Sequence, residues 1–183
     1  MRVVFLFSLL LTVMACNSPK APVQKAPATS TLSKAGTDKV MGLLVQYYEL
    51  KNALVASDAK KAAASSAKLQ AMSQDVMVAL KAEEGKAETG AGDDLNKIAE
   101  GCKTIAATDD ATCERQRVVF AQVSTGMYDL LQAISVKNSG AYKQFCPMAF
   151  NDKGAYWLSE EEEIKNPYFG KKMLECGEVQ DSL

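Results

Sequence analysis

Two sulfur pairs near the end of the 183-residue chain offer its clearest chemistry: Cys146-Pro147-Met148 and Met173-Leu174-Glu175-Cys176-Gly177. A turn-rich stretch containing Asn166-Pro167-Tyr168-Phe169-Gly170 separates them. Thiolates and thioethers are soft donors and select Cu(I) or Ag(I) over Mg²⁺ or Ca²⁺. If Cys146, Met148, Met173 and Cys176 converge, they make an all-sulfur metal site. A Cys146–Cys176 disulfide is the competing use of the same cysteines, and an oxidising compartment favours it in the resting protein. The methionines pull the other way, because a disulfide staple does not need them. Their plain alternative role is packing among aromatic rings.

Apart from Cys16, the remaining cysteines are Cys102 and Cys113. Exported chains with an even set of cysteines usually pair them. A local Cys102–Cys113 disulfide is expected to staple the third helical segment to the fourth. The two positions differ in height by roughly 4.5 Å at the helical rise, an offset that frayed helix ends can absorb. Cys102 taken alone also reads as a small buried apolar residue.

Little else in the chain suggests catalysis, and no enzymatic activity is expected. The chain has no histidine, which removes the usual general base and every Ser-His or Cys-His arrangement. Phosphate-binding loops, Cys-x-x-Cys redox pairs and di-iron signatures are missing as well. Asp93-Asp94 and Asp109-Asp110 sit where helix caps and dipole contacts explain them. The formal net charge is −1 with both signs mixed along the chain, so nucleic acid has no basic stripe to bind.

The N-terminus speaks to location. Arg2, the apolar run Val3 to Met14 and the small residue Ala15 follow the pattern of a secretory signal, too short for a permanent membrane span. Val13-Met14-Ala15-Cys16 resembles a bacterial lipobox, which implies removal of residues 1–15 and lipidation of Cys16. The expectation is a chain anchored to a membrane of the bacterial envelope, facing the periplasm or exterior. Residues 16–35 hold three of the chain's 5 prolines and no apolar periodicity, so they read as a flexible tether.

What must position the sulfurs is a single domain of about 150 residues, a usual size for one core. Its first part, residues 36–140, reads as four amphipathic helices. Val40, Leu43, Leu44, Tyr47 and Leu54 share one face of a helix from about Thr37 to Ser57. Asp58 caps a second helix carrying Leu69, Met72, Val76 and Leu80. Leu95, Ile98, Cys102 and Ile105 mark a third from Asp93 to about Ala107. Phe120, Val123, Met127, Leu130, Leu131 and Ile134 mark a fourth, opened by Asp109-Asp110 and ending near Asn138-Ser139-Gly140. The short connections predict an all-α, up-down-up-down four-helix bundle. Residues 141–183, rich in aromatics and turn residues, are expected to pack on it as an irregular segment.

Several of these stretches resemble a known family. Tyr48-Glu49-Leu50-Lys51-Asn52-Ala53-Leu54 looks like its opening helix, and Glu114-Arg115-Gln116-Arg117 with Phe120 like its last one. The tail is the closest match: Cys146-Pro147-Met148-Ala149, Gly154-Ala155-Tyr156-Trp157-Leu158-Ser159, Ile164-Lys165-Asn166-Pro167-Tyr168-Phe169-Gly170 and Met173-Leu174-Glu175-Cys176-Gly177. The family is a bacterial periplasmic domain of unknown function, found alone in lipoproteins or fused to the membrane-fusion adaptor subunits of copper/silver-type efflux systems. The resemblance implies a heavy-metal context and an efflux adaptor or other envelope protein as partner. Members often carry histidine in the bundle. This chain has none, leaving sulfur and carboxylate as ligands. Two functions are therefore expected in competition: soft-metal binding or efflux support through the Cys/Met cluster, and a structural module whose Cys146–Cys176 disulfide staples a docking surface for an envelope partner.

Overall fold

The computed structural model describes residues 26–83 and 90–183. The expected signal, Cys16 and the first half of the tether lie outside them. Four helices pack each against the next in sequence: α1 (Lys34–Val55), α2 (Ala59–Ala82), α3 (Ala91–Ala107) and α4 (Glu114–Ala133). Their inward stripes are the ones the spacing predicts. Val40, Leu43, Leu44, Tyr47, Leu69, Leu80, Leu95, Ile98, Phe120 and Leu130 are all within 1% of complete burial.

Local chemistry sets the helix ends. Ser33 caps α1 by accepting a hydrogen bond from the Gly36 N–H at 3.1 Å, so the helix begins before Thr37. Asp58 caps α2 through the Lys61 N–H at 2.9 Å. Asp110 does not open α4 directly. Its carboxylate accepts from the N–H groups of Thr112 and Arg115 at 3.0 and 2.7 Å, closing a turn from which α4 departs at Glu114. A bond from the Thr112 hydroxyl at 2.6 Å, then those from the two N–H groups, hold the Asp110 carboxyl at about 2, below the ordinary range. Before α1, Thr29 pairs with Lys137, so the incoming chain runs beside the end of α4.

The tail is not irregular. It folds as an antiparallel sheet of order β2-β1-β3, from β1 (Tyr142–Cys146), β2 (Ala155–Ser159) and β3 (Glu178–Ser182). The strands are short, and the fully exposed pattern of β3 carries none of the apolar alternation that marks a half-buried strand. Its pairing comes from the backbone of β1, with Phe145 opposite Glu178 and a bulge between Lys143 and Gln144. The buried Gln144 donates from Nε2 to the carbonyls of Glu161 and Glu162 at 2.9 and 3.0 Å, fixing the acidic turn to the sheet.

Aromatic packing joins sheet and helices. Tyr168 lies 5.9 Å from the rings of both Phe120 and Trp157 and 5.3 Å from Phe150, and its hydroxyl donates to the Tyr156 carbonyl at 2.5 Å. Tyr47 stacks on Phe120 at 5.3 Å. Offset and edge-on arrangements such as these add to the area each ring removes from water.

Candidate thiol site

The two cysteines of the tail meet. Cys146 Sγ and Cys176 Sγ are 2.9 Å apart, across 30 residues of chain. Sheet register brings them together. Cys146 ends β1, and pairing of Phe145 with Glu178 carries Gly177 and then Cys176 back past that end. Gly177 has φ +152°, and a Cβ there would lie 2.9 Å from both the Phe145 carbonyl oxygen and the Trp157 ring. Only glycine lets the chain approach β1 this closely at that backbone angle.

Asn166 fixes the other side of the turn. Fully buried, it donates from Nδ2 to the Cys176 carbonyl at 2.7 Å, while its Oδ1 accepts from the Tyr168 N–H at 2.8 Å. The Asn166 N–H donates to Leu174 at 2.8 Å. A short polar side chain that bonds its own backbone two residues on is the usual device of an Asx turn, and here it also reaches across the loop.

The thiols differ in setting. Cys146 has no solvent exposure, whereas Cys176 is half-buried. The proton shared with Cys146 pushes the Cys176 thiol up to about 11, while a hydrogen bond from the Met148 N–H pulls the other way. Met148 is 48% exposed, with its backbone turned to Cys176. Met148 and Met173 line one groove of about 600 Å³ with Val118, Phe150 and Phe169, and Met173 also borders a smaller hollow with Leu174 and Cys176. The four predicted sulfur residues thus lie in one neighbourhood. The contact between sulfurs that closes this neighbourhood is the one between Cys146 and Cys176.

Beside the groove, Ala149–Asp152 forms a tight turn in which Phe150, Asn151 and Asp152 have φ of 55, 59 and 62°. A left-handed aromatic residue is uncommon, and such backbone collects at functional sites.

Cys102 and Cys113 are separate buried thiols in this structure, so the expected bridge is not found here. Cys102 sits within α3, where burial pushes its thiol up to about 12. Cys113 lies before α4 with φ 63°, in the turn instead of the first helical residues the spacing suggested.

Two polar hubs escaped the sequence reading. Arg117, 3% exposed, donates from Nε to Pro167 O at 2.9 Å, from Nη1 to Thr112 O at 3.0 Å, and from Nη2 to Leu54 O and Ser57 Oγ at 3.0 and 2.8 Å. Its fork joins the end of α1, the start of α4 and the tail loop that carries Asn166. Its signal was available, because position 117 falls on the inward stripe three residues before Phe120. Lys51, 1% exposed, meets Glu160 Oε2 at 2.8 Å. Burial lowers the Lys51 amine, opposed by the bond to Glu160. For Glu160, burial alone would raise the carboxyl, but the bonds from Lys51 and Asn52 outweigh it and hold the group low. Glu160 thus ties the turn after β2 to α1 through Lys51 and Asn52.

Among the described residues, no group of three or more His, Cys, Asp or Glu gathers to hold a metal, and no helix is long and apolar enough to cross a membrane. A site here would use two thiols with thioether help, a donor set that fits a soft monovalent ion and not a hard divalent one. The profile of a family described as protein of unknown function (DUF3347) matches residues 43–139. The match spans more than half of the chain, which belongs to that family. No curated protein and no solved structure matches it.

Proposed function

We propose that this member of the DUF3347 family is an exported, lipid-anchored envelope domain that captures a soft monovalent metal ion, Cu(I) or Ag(I). Cys146 and Cys176 serve as thiolate ligands. Met148 and Met173 complete the sphere from the shared groove, and the captured ion is handed on in support of heavy-metal efflux. The observation that carries this reading is the 2.9 Å approach of Cys146 Sγ to Cys176 Sγ beside two methionines. Soft ions tolerate two or three sulfur ligands, so no further donor is required. The domain is read as binding and not catalytic, since a chain without histidine offers no general base beside the thiols.

The reduced full chain, titrated with Cu(I) against a competing chelator, tests it. Wild type should take up one ion, and the Met148→Ala/Met173→Ala double variant should bind more weakly. Absence of uptake by wild type would sink the metal reading. It would leave the second one, favoured by the same short sulfur separation: a module whose Cys146–Cys176 disulfide staples a docking surface for an envelope partner.

A further inference from the structure

We infer that the tail thiols form a directional thiol–disulfide exchange site: Cys176 reacts first with an external disulfide, and Cys146 resolves the adduct. The order follows from access. Cys176 is half-buried at the rim of a hollow of about 410 Å³ shared with Met173, Leu174 and Glu175. Cys146 is completely buried at the inner end of β1. An incoming disulfide can therefore reach one sulfur only.

In the first step the Cys176 thiolate attacks one sulfur of a small exported disulfide, RS–SR. A Cys176–SR bond forms, the S–S bond of the oxidant breaks, and RS⁻ leaves with the electron pair. In the second step Cys146, 2.9 Å away, attacks Cys176 Sγ and expels the second RS⁻. Two thiols have then lost two protons and two electrons, and one external disulfide has become two thiols. The final bond needs about 2.0 Å between the sulfurs, so the resolving step asks for a shift of less than an ångström at Cys146. Asn166 and Gly177 keep the Cys176 turn against β1 throughout, which holds the second sulfur within reach of the first. Neither Cys102 nor Cys113 competes, since both thiols are buried.

Oxidation removes both thiolates from any metal, so the same residues cannot be disulfide and ligand at once. The exchange itself does not rest on metal capture and is read with no metal present. The folded, reduced full chain is treated with glutathione disulfide and mapped by mass spectrometry without reduction. Wild type should give a Cys146–Cys176 bond. Cys146→Ser should accumulate a stable glutathione adduct on Cys176, and in Cys176→Ser the adduct on Cys146 should form at least about tenfold more slowly, as expected of a less accessible thiol. Should a variant fail to fold, acid quenching of wild type during the reaction locates the transient adduct. An adduct on Cys146 first, equal rates at the two cysteines, or oxidation elsewhere in the folded chain would overturn the assignment. A negative Cu(I) titration would leave it intact.

Discussion

Asn166 holds Cys176 in place from a position with no solvent exposure, donating to its carbonyl at 2.7 Å. The same side chain accepts from the Tyr168 N–H, so one amide ties the second sulfur to the aromatic hub. Replacing it by alanine strands buried donors and acceptors on both sides. Asn166→Ala should lower stability by about 2–3 kcal/mol, the usual cost of unpaired buried polar groups. Urea unfolding of reduced protein measures that loss. A change near zero would mean that the turn is held by the sheet alone.

Arg117 provides a test of shape against charge. A lysine keeps the positive charge but lacks the fork that reaches Pro167, Thr112 and Leu54 together. Arg117→Lys should destabilise by about 2–4 kcal/mol, mostly from carbonyls left without donors. Full retention of stability would show that charge at the end of α1 is what matters.

Glu160 and Lys51 predict a pH dependence with a definite sign. Bonds from Lys51 and Asn52 leave the folded Glu160 carboxyl below its unfolded value, so its contribution is present at neutral pH and fades as pH falls through the acidic range. Lys51 is lowered by burial. The unfolded chain therefore holds that proton more tightly, and stability gains as pH rises toward the ordinary lysine range. Glu160→Gln should flatten the acid limb and cost about 1–2 kcal/mol at pH 7, less than for a fully buried pair because Glu160 is part-exposed. The Lys51→Met/Glu160→Gln double variant should recover most of that loss. Thermal melts from pH 3 to pH 10 follow both effects.

Gly177→Ala should separate the thiols. Its Cβ would strike the Phe145 carbonyl and the Trp157 ring, and the backbone angle is itself unfavourable for alanine. A loss of about 1–3 kcal/mol is expected where alanine meets an incompatible conformation. The yield of the Cys146–Cys176 bond under glutathione disulfide should fall in the folded variant. An unchanged yield would show that the β3 register alone sets the sulfur approach.

The helices were legible because their stripes repeat at helical spacing over many turns, as Val40 through Leu54 and Phe120 through Ile134 do. The sheet was not. Glu178–Ser182 has no inward face of its own, so its strand character exists only in the partner backbone. The Cys146–Cys176 neighbourhood was readable from residue types, whereas its supports were hidden for different reasons. Asn166-Pro167 carried a visible turn signal with no hint of what the amide would reach. Arg117 stood on an apolar stripe, which is itself the mark of a buried cation seeking carbonyls. For Cys102 and Cys113, the expected staple placed Cys113 inside a helix that starts one residue later.

Thr29 runs beside Lys137 at one pole of α4, whereas Met148 and Met173 line a groove with Glu114 and Val118 at the other. Twenty residues of helix separate those poles by about 30 Å. If the chain is moored through the residues preceding Thr29, the methionine groove lies at the end of α4 away from the mooring, where an approaching donor or acceptor would not have to slip beneath the domain.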